Sequence, residues 1–192
     1  MSNKGSIIVI SAPSGAGKTT IVRSILEQFP EMIFSISATT RKKRECEVDG
    51  VHYFFLSEEE FLKKIKDEAF IEWEKFYDYY YGSLKSFVEQ NVDDGKTVLF
   101  EVDVKGGLSI KKLYPSAVLI YIMPPSLDEL KERLRKRMTE TEEDLRKRIA
   151  RAEMELSLKD EFDFVVVNDE LEKAILEVKT IIEKNINNKE KV

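Results

Sequence analysis

Residues 11–20 read Ser-Ala-Pro-Ser-Gly-Ala-Gly-Lys-Thr-Thr, directly after the apolar run Ile7-Ile8-Val9-Ile10. Gly15, Gly17, Lys18 and Thr19 match the end of the pattern G-x-x-x-x-G-K-[ST], with Ala12 where its first glycine would stand. A strand ending in such a turn aims several backbone N–H groups inward at the start of a helix, where the positive end of the helix dipole also lies. Ala12, Pro13, Ser14, Gly15, Ala16, Gly17, Lys18, Thr19 and Thr20 are therefore a candidate cradle for nucleotide phosphates. Lys18 adds a point charge for the β and γ phosphates, and the Thr19 hydroxyl is placed to bind Mg²⁺. Ile21, Val22, Ile25 and Leu26 then carry the spacing of a helix. The loop alone does not choose the acceptor of the terminal phosphate, which at this point is water, a protein or a small molecule.

The rest of the 192 residues suits one domain with insertions. Hydrophobic residues make up 42% and charged residues 35%, as in ordinary globular proteins. The single cysteine, Cys46, excludes an internal disulfide and fits a reducing cytoplasm. No apolar run reaches the roughly 20 residues that span a bilayer, and none resembles a signal segment, so no membrane partner is expected. The net charge of −5 disfavours non-specific nucleic-acid binding, and any anion site must be local.

Strand-like and helix-like runs alternate. Strands are expected at 6–11, 51–56, 70–76, 97–103, 117–123 and 162–168. The first and the last three are nearly unbroken Val/Ile runs, the pattern of parallel strands buried on both faces. Ser57-Glu58-Glu59-Glu60 and Ser126-Leu127-Asp128-Glu129 read as capping boxes opening helices. Apolar periodicity predicts further helices over 141–158 and 170–187, with a frayed tail beyond about 184. The layout is an α/β core with a parallel sheet flanked by helices, interrupted by a stretch of different texture near 35–85 and by a charged one near 126–155.

Asp103-Val104-Lys105-Gly106 reads as the D-x-x-G of switch GTPases, but no N-K-x-D guanine-reading segment accompanies it. Arg41-Lys42-Lys43-Arg44 reads as a nuclear signal, a nucleic-acid patch or a solvated face. It follows Phe34-Ser35-Ile36 and precedes Gly50-Val51-His52-Tyr53-Phe54-Phe55, with Phe70-Ile71-Glu72-Trp73 and Tyr80-Tyr81-Gly82-Ser83 further on.

Taken in order, these motifs resemble guanylate kinases. The likeness runs from the phosphate loop through TTR-x-x-R, G-x-x-Y-x-F, FIEW, YYGS, the E-V-D strand end, R-x-x-x-R, TETEE and VVVND. The resemblance implies a P-loop core (1–34, 84–125 and 156–192), a GMP-binding insertion (35–83) and a helical lid (126–155). It implies transfer of the γ-phosphoryl group of MgATP to GMP, and to dGMP, by a cytoplasmic monomer or homodimer of purine nucleotide metabolism, with no nucleic-acid partner. It assigns Arg41, Arg44, Tyr53 and Tyr81 to the GMP phosphate, and Ser37, Glu72 and Ser83 to the guanine, with Asp103 at the core end of the pocket. Lys18, Arg41, Arg133, Arg137 and Arg148 become the charges of the transfer step. Asn168 falls near the adenine of ATP, and Thr19, with Glu101 through water, near Mg²⁺.

The chemistry suits these roles. Two guanidinium forks and two phenols match a dianionic phosphate. The Glu72 carboxylate can accept from guanine N1–H and the 2-amino group, whereas adenine would leave it unpaired. The chain departs from the family at Glu101, where Asp is usual, at Lys105 for Gln and at Met138 for Gly. The other basic residues of 131–151 are expected to be solvated or paired with the acidic TETEED turn. Two rival classes are weighed here. A guanylate-kinase-like scaffold module would lack the loop and lid arginines that this chain keeps. A kinase of another small acceptor would lack Glu72 with Ser37 and Ser83.

Overall fold

A computed structural model describes residues 4–76, 78–136 and 142–187. In chain order these form β1 (Ile7–Ser11), α1 (Lys18–Gln28), β2 (Ile33–Phe34), β3 (Ser37–Thr39), β4 (Phe54–Phe55), α2 (Glu58–Lys66) and β5 (Phe70–Phe76). There follow β6 (Tyr79–Leu84), α3 (Lys85–Asp93), β7 (Val98–Val102), α4 (Val104–Leu113) and β8 (Val118–Met123). The chain continues through α5 (Leu127–Lys136), α6 (Glu142–Leu156), a 3₁₀ turn at Lys159–Glu161, β9 (Phe164–Val167) and α7 (Leu171–Asn187).

Five strands make one all-parallel sheet in the order β2-β7-β1-β8-β9. Its apolar runs are unbroken because alternate residues serve opposite faces. Ile8, Ile10, Leu99 and Ile120 pack with Ile21 and Ile25 of α1 and Val178 and Ile182 of α7. Ile7, Val9, Phe100, Leu119 and Tyr121 pack with Val88 of α3 and Val104 and Ile110 of α4. Each fully buried large aliphatic contributes roughly 1.5–3 kcal/mol, so this double-faced sheet dominates stability.

The texture change near residue 35 is a second sheet in the order β4-β3-β6-β5, antiparallel except between β3 and β4. Its own core is small: Ala38, Phe61 and Phe70 are buried, and Phe61 stacks between Phe70 and Tyr80. Ile71 of β5 joins the core cluster of the main sheet, which seats the insertion against α4. Near 126–156, Leu130, Leu134 and Ala152 bind α5 to α6.

The structure corrects several expectations. The run at 51–56 forms a strand only at Phe54 and Phe55, with an isolated bridge from Tyr53 to Asp49, because Gly50 (φ 73°) and a turn over Val48–His52 interrupt it. In that turn the Val48 amide donates to His52 Nδ1 at 3.0 Å. The last Val-rich run is not buried on both faces: β9 is the sheet edge, and Phe164, Val165 and Val167 are 36–42% exposed. The capping box at Ser57 is complete. At Ser126 only half forms, since the Glu129 carboxylate turns to Arg133 instead. The strands β3 and β6 and the helices α3 and α4 carry no period strong enough to expect. Arg137 and Met138 lie outside the described residues, as does the tail beyond 187.

Candidate active site

The phosphate loop, Glu101, Asp103 and Asn168 gather at the carboxyl ends of the parallel strands, where open α/β sheets hold ligands. Between β1 and α1 the chain turns through Gly15 and Gly17, with φ of 91° and 92°. An L side chain is strained there, and a Cβ on Gly15 would stand 3.1–3.2 Å from Leu134 and Leu130 of α5. The loop closes on itself with the Ala16 amide donating to the Pro13 carbonyl at 3.2 Å. Ala12, Pro13 and Ala16 are buried, Ser14 is half-buried, and Thr19 and Thr20 are exposed on the first turn of α1.

Lys18 folds back across the strand ends, its ammonium donating to the Val102 carbonyl at 2.7 Å. Burial pulls its pKa down, while Glu101, Asp103 and Glu155 oppose that shift. Thr19 donates to Glu101 Oε1 at 2.5 Å, which brings the two proposed Mg²⁺ residues together. A hydroxyl beside a carboxylate is the hard-oxygen donor set Mg²⁺ takes when phosphates and water complete its shell. The longer Glu101 side chain therefore still reaches the loop threonine.

Asn168 follows β9 directly, beside the phosphate loop. It is 6% exposed, and its amide donates to the Ala16 carbonyl at 2.7 Å. Its backbone carbonyl lies 3.5 Å from Arg133 Nη2, so α5, the end of β9 and the phosphate loop meet here. Arg148 lies half-buried on α6.

The insertion assembles the second set. Pairing across β3-β6-β5 places Ser37 opposite Ser83 and Ser83 opposite Glu72, in line across three strands. Ser83 donates to Glu72 Oε1 at 2.7 Å. A register shift between Phe70 and Glu72 accompanies this alignment. Glu72, Trp73, Glu74, Asp103, Lys105 and Gly106 line a cavity of about 490 Å³. Burial, with repulsion from Asp103 and Glu74, lifts the Glu72 pKa to about 7 against the Ser83 hydrogen bond.

Arg41 lies 5.2 Å from the centre of the Tyr53 ring, and Tyr53 packs edge-on to Tyr81 at 6.3 Å. The Arg41 fork is bidentate to Glu47, at 2.6 and 3.0 Å. Glu47 also accepts from the Arg44 amide, and these bonds hold its carboxyl down at about 2. The Arg44 side chain is exposed beside them.

Asp103 caps α4, accepting from the Gly106 amide at 2.7 Å. The D-x-x-G tetrapeptide is thus a helix cap, and a Cβ on Gly106 would meet the capping oxygen at 3.0 Å. The other Asp103 oxygen accepts from Arg151 at 2.7 Å.

A phosphate loop, a paired hydroxyl and carboxylate beside it, and a separate pocket built around a buried-side carboxylate describe a two-substrate phosphoryl-transfer site. The family model described as guanylate kinase matches residues 4–185. The chain belongs to the guanylate kinase family. A guanylate kinase from Thermotoga maritima is 46% identical over 179 residues, 93% of this chain and 86% of that protein. One from Chlorobium luteolum is 48% identical over 172 residues, 89% of this chain and 87% of that one. The crystal structure of guanylate kinase from Anaplasma phagocytophilum superposes with a TM-score of 0.74 at 29% identity, covering 96% of this chain and 87% of that one. The activity of this guanylate kinase family member is ATP-dependent phosphorylation of GMP.

Sequence reasoning missed Glu47, Glu74, Glu155 and Arg151. Arg151 is one of the basic residues of 131–151 expected to be solvated or paired with the TETEED segment. Of that group, Lys147 does pair with Glu143 of that segment, four residues earlier on α6, at 2.8 Å, whereas Arg151 faces the core. A basic residue four before a buried Glu on one helix face was the available signal.

Proposed function

We propose that the two residue sets divide the reaction, with residues 35–83 holding GMP, the loop 12–20 holding ATP, and 126–155 closing over both. The observation that carries this reading is the aligned row Ser37, Ser83 and Glu72, whose central hydroxyl already orients the carboxylate. Glu72 accepts from guanine N1–H and the 2-amino group, and Ser37 and Ser83 complete the base contacts. Arg41, Arg44, Tyr53 and Tyr81 receive the GMP phosphate. For Arg41 this means sharing or leaving Glu47, which holds the guanidinium beside Tyr53 until the phosphate arrives.

The loop amides and Lys18 hold the ATP phosphates, and Lys18 leaves the Val102 carbonyl to do so. Mg²⁺ would be held by Thr19 and through water by Glu101, and would supply charge neutralisation at the ATP phosphates. A GMP phosphate oxygen attacks the γ-phosphorus in line, the bond to the β,γ-bridging oxygen breaks, and ADP carries that oxygen away. No side chain forms a covalent intermediate, so catalysis is positioning and electrostatics. Arg133 and Arg148 approach the transferring group when α5 and α6 close, which also keeps water from accepting it. Arg137 has the same assigned role and lies outside the described residues. Asn168 acts by bracing the loop at Ala16. dGMP fits the same reading, because none of the assigned contacts requires the 2′-hydroxyl. An exposed free Cys46 agrees with a reducing compartment.

Initial-rate measurements with GMP, dGMP, AMP, CMP and UMP test the reading. GMP and dGMP should exceed the others by roughly 10⁴-fold in kcat/KM. Comparable use of AMP would overturn the base assignment.

A further inference from the structure

Arg151 is the last arginine of α6, and its guanidinium meets carboxylates from three separate parts of the fold. Its Nη2 lies 2.7 Å from Asp103 at the cap of α4 and 3.3 Å from Glu74 on β5. Its Nε lies 2.9 Å from Glu155, which is buried on the same helix. Glu74 and Asp103 both line the cavity that contains Glu72. The guanidinium therefore sits where the second sheet, the core and the lid helix converge, and it offsets the mutual repulsion of Glu74 and Asp103. A planar fork suits this, because its donors point in fixed directions toward several acceptors.

We propose that Arg151 is a positioning residue for GMP: from α6 it clasps Glu74 of the insertion to Asp103 of the core, and so sets the width of the base cavity. This rests on the reading above that the Glu72 cavity takes the guanine. Arg151 acts through Glu74 and Asp103 and makes no contact with the base itself. The clasp also gives α6 a direct hold on the insertion, so the base site and the lid share one ion-pair junction.

The test compares Arg151→Gln, Glu74→Gln and the double variant by steady-state kinetics in both substrates. GMP affinity is read separately from the fluorescence of Trp73, the only tryptophan, which lines the same cavity. Glu74→Gln should raise KM for GMP about 3- to 10-fold, and Arg151→Gln by 10-fold or more. KM for ATP should stay within about twofold, and kcat should fall less than KM rises. The double variant should be no worse than Arg151→Gln alone, because both changes open one clasp.

Removing Arg151 strands the buried Glu155, which can cost that variant its fold. In that event Glu74→Gln, at the exposed end, decides alone. A GMP KM within twofold of the parent, equal losses for ATP, or fully multiplicative effects would overturn the proposal. Failure of the base reading looks different: Glu72→Gln would then leave GMP preference intact. A selective Glu72→Gln defect beside silent Arg151 and Glu74 variants removes the clasp and keeps the site.

Discussion

The Asn168 side-chain amide is bonded to the Ala16 carbonyl at 2.7 Å, across 152 residues of sequence. That bond ties the last strand of the sheet to the phosphate loop, and the same amide fills the space beside Gly17. Asn168→Ala should therefore loosen the loop, raising KM for ATP about tenfold while KM for GMP changes less than twofold. Gly17→Ala should be more severe. It adds a Cβ against that amide at φ 92°, where strain costs on the order of 1–2 kcal/mol before any displaced phosphate contact. Initial rates in both substrates check the pair.

Lys18→Ala should remove nearly all phosphoryl transfer, by 10²-fold or more, and leave GMP affinity almost unchanged. The lysine contacts the Val102 carbonyl on the core side, whereas the Glu72 row stands on the second sheet. Calorimetry with GMP alone provides the measurement. An equal loss of GMP affinity would contradict the division of the sites.

Arg41 and Glu47 are each less than 15% exposed and make a bidentate pair where the GMP phosphate is assigned. Arg41→Lys keeps the charge and loses the fork, so one point contact replaces two parallel bonds. The kcat/KM for GMP should drop by about 10- to 100-fold, with KM for ATP little changed. If Arg41→Lys behaves as the parent, Arg41 does not hold the phosphate and its fork serves the loop 41–47 alone.

The parallel core and the loop were legible because their signals are local: a Val/Ile run, two glycines, Lys18 and Thr19. The Glu72 row was legible only through family likeness, since nothing in the spacing of residues 37, 72 and 83 announces that three strands will align them. The junction at Arg151 was not legible. Its partners at 74, 103 and 155 come from three regions, and a long side chain on a charged helix reads as solvated until the packing is known. The edge position of β9 escaped for a similar reason. A Val-rich run looks the same whether one or both of its flanks are covered.

Glu72→Gln separates charge from shape. Charged hydrogen bonds are worth roughly 1.5–3 kcal/mol, and an unpaired buried group costs about as much, so kcat/KM for GMP should fall on the order of 10²- to 10³-fold. AMP should change far less, because it never gained from the carboxylate. The pH dependence gives a second reading. The Glu72 pKa is raised to about 7 in the free protein, mainly by burial and next by Asp103 and Glu74. Below pH 7 the group is protonated and presents a donor where guanine also presents donors. The kcat/KM for GMP should thus rise through an apparent pKa near 7, and GMP binding at pH 6 should release a proton. In Glu72→Gln that limb should vanish, leaving only titration of the nucleotide's own phosphate near pH 6. The stability change has the matching sign. A carboxyl whose folded pKa exceeds its unfolded value favours folding below about pH 4.5, and that contribution fades as pH rises to 7. Above pH 7 the ligand-free Glu72→Gln variant should melt higher than the parent, with the difference shrinking on acidification. A variant that melts lower at pH 8 and keeps the acid limb would show that Glu72 is neither the titrating group nor the guanine reader.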